Sequence, residues 1–227
     1  MKQFFLSCLL LLLTGLSFSL YSQTPVRDSV ASTDAYVPTT ALKIGFVGAL
    51  LYPGCQFALE RPYQYTEVTK QRQQKVKRIY KERYIRYALG IYSHYRYHTN
   101  FFLQCENLQR RQKSTGWWFE SSEGVGVSRT FVNGPAYTVS DEGAIHKATL
   151  AGNWYALVSV GGSVGYNFNL KKHQPFSVYC KHQWLVLFPY NTLFLPRPLI
   201  EMGLTCSLSH FWQAHPVKKS KIISSSK

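Results

Sequence analysis

Residues 84–98 read YIRYALGIYSHYRYH, and the two sets of alternate positions differ in kind. Odd positions give Ile85, Tyr87, Leu89, Ile91, Ser93, Tyr95 and Tyr97. Even positions give Tyr84, Arg86, Ala88, Gly90, Tyr92, His94, Arg96 and His98. Successive side chains of a strand point to opposite faces, so alternation this long predicts a β-strand between two unlike environments. The pattern recurs in eight segments, at about 42–52, 55–68, 76–97, 101–111, 117–131, 154–170, 176–188 and 199–212. Turn chemistry separates them: Pro53-Gly54, QRQQ, HTN at 98–100 and STG at 114–116. Residues 132–153 form a longer connection whose SDEG centre reads as the tip of a small hairpin, and PYNTLFLPRP reads as a Pro-broken loop. Segments of ten residues or more outrun the ~5–6 typical of globular sheets and suit tilted strands that cross a bilayer.

The wet face follows from what each phase carries. One phase holds Tyr92 and Arg96 with Glu60, Arg86, Glu106, Arg110, Glu120, Lys181 and Glu201, among small residues such as Gly90, Gly124, Ser159 and Ser163. Small residues mixed with a few opposite charges suit a cramped interior, where an unpaired charge is expensive. Glu60, Glu106, Glu120 and Glu201 are therefore expected to pair with Arg86, Arg96, Arg110 or Lys181. The other phase is apolar and ends in aromatics, including Tyr97, Phe101, Trp117, Phe119, Trp154, Tyr166 and Trp212. Aromatic girdles of this kind mark membrane interfaces. The expected fold is all-β: a closed antiparallel up-and-down β-barrel of about eight transmembrane strands over residues 41–212, lipid outside. Eight strands leave an interior that side chains fill, which favours salt-bridged plugging over conduction.

The N-terminus agrees with export. MKQFFLSCLLLLLTGLSFSLYS has the form of a cleaved signal peptide, residues 1–22, followed by a polar leader, 23–40. A basic tail occupies 213–227. No mature stretch has the ~18 consecutive apolar residues of a spanning helix. The formal charge of +15 gathers at segment ends, at 70–78, 109–113, 171–173 and 218–221. With no nucleic-acid motif in an exported chain, those clusters fit anionic lipid headgroups or lipopolysaccharide better than nucleic acid. Cys55, Cys105 and Cys206 lie in apolar phase, and with Cys180 they read as small apolar residues rather than a disulfide framework.

The stretches LYPG, ERYIRYALGIY, FFLQCENLQRRQ, GVSRTFVNGPAYTV and GGSVGYNF resemble small outer-membrane β-barrel proteins of Bacteroidetes type. The resemblance implies a place in the outer membrane, contact with its lipid and lipopolysaccharide, and passage through the assembly machinery. It brings no catalytic signature with it.

Chemistry is sparse. His94 and His98 share a phase, but on one strand they would stand about 13 Å apart at ~3.3 Å per residue, which excludes one shared ion. His182 falls in apolar phase, and no short motif sets a Ser beside a His. No cofactor, metal or catalytic residue is expected. The expected role is non-enzymatic, structural or adhesive, or binding through loops, with Tyr137, Asp141, Glu142 and His146 of the longest loop as contact candidates for an extracellular ligand. The alternatives are a lipid-A-modifying membrane enzyme and a soluble lipocalin-like exported barrel. If both termini lie in the periplasm, QRQQ, RRQKST, KKHQ and the KKSK tail do too. Pro53-Gly54, HTN, 132–153 and PYNTLFLPRP then lie outside.

Overall fold

The structure, a computed structural model, describes residues 38–48, 53–72, 75–94, 96–140, 142–148, 150–172, 174–190, 193–208, 218–220 and 225–226. The segment expected to be a signal peptide, the expected leader up to residue 37, Tyr95, Asp141, Trp212 and most of the basic tail lie outside the described residues. The elements are β1 (Ala41–Gly48), β2 (Gly54–Arg72), β3 (Lys75–His94), β4 (His98–Lys113), β5 (Trp117–Val132), β6 (Ala136–Val139), β7 (Ile145–Ala148) and β8 (Gly152–Asn167). A helical turn, Asn169–Lys172, precedes β9 (Phe176–Tyr190) and β10 (Leu193–Ser207), and two short strands follow, β11 (Lys218–Ser220) and β12 (Ser225–Ser226).

Eight of these strands build one antiparallel, ring-like sheet. Each pairs with the next along the chain, β5 with β8 across the inserted β6–β7 hairpin, and β1 pairs with both β2 and β10. The register is staggered around the ring. Ala41 faces Ser207 of β10 directly. Traced the other way, the row runs Ala41, Glu60, Arg86, Glu106, Gly124, Ser159, Leu185 and Arg197, reaching β10 ten residues before Ser207. Strands so staggered are tilted to the ring axis. One end of the ring carries Thr40, Ser207 and the short β2–β3, β4–β5 and β8–β9 turns. The other carries the β6–β7 hairpin; these are the terminus end and the loop end below.

Alternation decides the faces as the sequence pattern requires. Along β1, Leu42, Ile44 and Phe46 are exposed on the outside while Ala41, Lys43 and Val47 are buried inside. The contrast is large: Phe46 is 59% exposed and Lys43 1%. Glycines on the inward phase make room for bulk. Gly90 lies under the ring of Phe102, where an added Cβ would come within 2.2 Å of its Cζ, and Gly165 lies in the same way under Trp118.

Several boundaries differ from the sequence expectation. β10 starts at Leu193, so LFLPRP is strand rather than loop. Pro196 and Pro198 are two apart and share one side of the strand, and β1 pairs with β10 only as far as Ile200. Among the described residues the two prolines therefore lie where β10 pairs with β9 alone. HTN opens β4 instead of turning; the described turn residues are 96–97. In β2 the register shifts between Pro62 and Gln64. The bulge moves the inward phase from even to odd numbers, so that Glu60 and Tyr65 are both buried.

Candidate functional site

The interior is the most constrained chemistry in the molecule. In the half toward the terminus end, four cations and four carboxylates interlock as two neutral clusters. Arg110 Nη2 lies 2.8 Å from Glu60 and 2.6 Å from Glu120, and Lys43 pairs with Glu60 and stands 3.7 Å from Glu120. Ser163 donates to the second oxygen of Glu120 at 2.8 Å. In the other cluster Arg86 donates to both oxygens of Glu201, at 2.7 and 3.0 Å, and lies 3.2 Å from Glu106, which Lys181 reaches at 2.7 Å. Tyr179 connects the two: its hydroxyl donates to Glu201 and Lys43 Nζ stands 4.5 Å above its ring. Trp118 and Tyr84 roof the first cluster, each with the Arg110 guanidinium 4.5 Å from its ring centre.

The register explains the assembly. Glu60, Arg86 and Glu106 are direct neighbours on β2, β3 and β4, and Arg110 faces Glu120 across β4 and β5. Lys181 faces Glu201 across β9 and β10. Of the expected interior residues, Glu60, Arg86, Glu106, Arg110, Glu120, Lys181 and Glu201 are all buried and paired. Arg96 is not among them: β3 ends at His94, and Arg96 is exposed in the following turn. Lys43, which the sequence expectation left out, is the fourth buried cation. Its phase on β1, between Leu42 and Ile44, is the signal that points inward. Glu82, which accepts from Tyr84 at 2.7 Å, is likewise inward and buried.

Toward the loop end the filling turns neutral. Gln183 donates to Gln104 at 3.1 Å. Above them Val47, Tyr92, Phe102, Leu157, Leu185, Leu187 and Leu199 pack into an apolar layer. At its rim Arg197 donates to the Tyr92 hydroxyl at 2.9 Å and lies 3.2 Å from His98 Nε2. His94 and His98 are not 13 Å apart on one strand. The pairing of β3 with β4 sets them opposite each other, with ring centroids 6.1 Å apart. Among the described residues, no three His, Cys, Asp or Glu side chains gather as a metal site.

Outside the ring, the β6–β7 hairpin presents Tyr137, Glu142 and His146, all exposed. Gly143, with φ of 83°, closes its tip and donates to the Ser140 carbonyl at 2.9 Å. His182 points outward, edge-on to Trp184 at 5.8 Å. Ser121, Gly162 and His182 share a register row, and among the described residues no hydrogen bond joins Ser121 to His182. All four described cysteines are free.

No family model matches the chain, and neither a curated protein nor a solved structure matches it.

Proposed function

We propose that the chain is a closed eight-stranded β-barrel of the outer membrane with lipid on its outside. Its interior is plugged and its role non-enzymatic, structural or adhesive, exercised through the loop-end hairpin. One observation carries the reading: the ring is inverted, with Lys, Arg and Glu side chains buried inside and Leu, Ile, Phe, Val and Trp exposed outside. In water that arrangement leaves the apolar face unburied; in hydrocarbon it leaves no lipid-facing backbone group unpaired, provided the ring closes. A lipocalin-like barrel needs an apolar cavity, whereas here half of the interior is ion pairs. The lipid-A-modifying alternative needs a Ser activated by His182, and among the described residues Ser121, in the same register row, makes no hydrogen bond to it.

Recovery of the mature chain from membranes in detergent, with a gel mobility that shifts on boiling, is the expected result; a folded chain in the aqueous fraction without detergent would sink the reading. In planar bilayers the same protein is expected to show no large steady conductance. A cavity at the terminus end, between Thr39, Tyr84, Arg110 and Thr205, is about 40 Å³, room for water.

Sidedness follows from the short turns at the terminus end and the long hairpin at the loop end, the pattern of periplasmic turns and external loops. An epitope inserted at Asp141 is expected to stain on intact cells. Staining only after permeabilisation would invert the orientation.

A further inference from the structure

The outward face has one flaw. Arg61 and Arg83 border its apolar belt toward the terminus end, and Arg129, held between Phe131 and Trp154, borders it toward the loop end. Inside those borders the described outward acidic, basic or imidazole side chains are Glu123 and His182. Both are exposed. Glu123 is steadied from one side only: Asn107 donates to it at 3.1 Å, and Tyr63 donates to Asn107 at 2.8 Å. Ionisable groups facing hydrocarbon are expensive and find partners. Between the two lies β8, and at its centre Gly162 leaves a gap: an added Cβ would have one neighbour, the Glu120 carbonyl oxygen at 3.6 Å.

The stagger of the ring sets their heights. The row gains ten residues over the circuit, so each step toward β10 climbs a little more than one residue toward the loop end. Glu123 faces Val160, and Val160 faces Trp184. Two steps therefore place Trp184 about two residues above Glu123. His182 comes two residues before Trp184 on a strand that rises toward the loop end, which brings it level with Glu123. Glu123 and His182 thus stand at equal height on either side of Gly162.

A two-fold axis along the membrane normal exchanges left and right and leaves height unchanged. Resting on the membrane reading above, we propose that β5, β8 and β9 form the face through which two copies of this chain associate in the bilayer, Glu123 of each opposed to His182 of the other. Gly162 lies at the axis, where a small residue lets the two walls approach, and the paired polar groups replace two that would otherwise face lipid. The complementarity is self-contained: one face carries both halves of the pair in the mirror order an isologous contact demands.

The test uses the full chain with Cys55, Cys105, Cys180 and Cys206 changed to Ala, reconstituted in vesicles. Gly162→Cys is expected to form a disulfide dimer on mild oxidation, and Ile44→Cys, on the outward face of β1, is not. Glu123→Gln and His182→Gln are each expected to weaken association on the order of tenfold, the effect of losing the dimer's two symmetry-related intramembrane polar contacts. The exchange Glu123→His with His182→Glu restores the pair in either direction and is expected to recover the dimer. Boiling-dependent gel mobility verifies that each variant is folded. Monomers at every protein-to-lipid ratio, or crosslinking no greater at Gly162→Cys than at Ile44→Cys, would overturn the proposal alone. A chain that never enters vesicles would overturn the membrane reading with it.

Discussion

Arg86→Met is expected to destabilise the folded protein by about 3–5 kcal/mol, the range for removing one partner of a buried ion pair. Arg86 is fully buried and holds Glu201 through two hydrogen bonds and Glu106 through a third contact. Methionine fills much of the arginine volume, so the loss is of charge more than of packing. Glu106 keeps Lys181 at 2.7 Å, whereas Glu201 is left with the Tyr179 hydroxyl and no cation in direct ion-pair contact. Equilibrium urea unfolding in vesicles measures the change. Adding Glu201→Gln should return more than half of it, because a neutral amide still accepts from Tyr179 and no longer buries a charge. Arg83→Met, one residue before Tyr84 but on the exposed face, should change little. A near-neutral Arg86→Met would mean that water reaches the network and the interior is not dry.

How far the pattern was legible depends on which level is asked. Two-residue alternation fixes which side of a strand each residue occupies, and that is enough to bring Glu60, Arg86 and Glu106 inside together without knowing their register. It fails where the period is broken. The bulge at Pro62 exchanges the faces, so Tyr65 enters by an odd position that the simple pattern would send outward. Arg96 continues the even series in the sequence, but the strand has ended at His94, and alternation has no meaning past a strand end. Pro196 and Pro198 were read as breaking a strand because proline cannot donate to a ladder. What the sequence does not display is that, among the described residues, β10 pairs with β1 only as far as Ile200 and with β9 alone before it. The His94–His98 pair and the level placement of Glu123 and His182 both depend on register and stagger. Those arise from how the eight strands meet, and no local stretch carries them.

Trp118→Ala is the second large effect, expected at about 3–5 kcal/mol in the same unfolding measurement. Trp118 is 1% exposed, and its ring lies against Gly165, whose backbone leaves the slot it fills. Its neighbours Trp117 and Phe119 point outward, at 50% and 52% exposure, so one alternation puts two aromatics on the outside and one in the core. Two contributions are lost together. The first is the packed volume of an indole in a wall that cannot collapse, because both β5 and β8 are held by ladders on either side. The second is the π-face presented to Arg110 at 4.5 Å and to Lys43 at 5.5 Å, which is worth most where water is excluded. Trp118→Phe separates them: a phenyl ring keeps an aromatic face and part of the volume, so its cost should fall well below that of alanine. The two substitutions being equally costly would show that neither ring face nor volume matters, only the indole N–H. A small effect for alanine would show that the slot over Gly165 refills, and that the charged clusters hold the interior together without a roof.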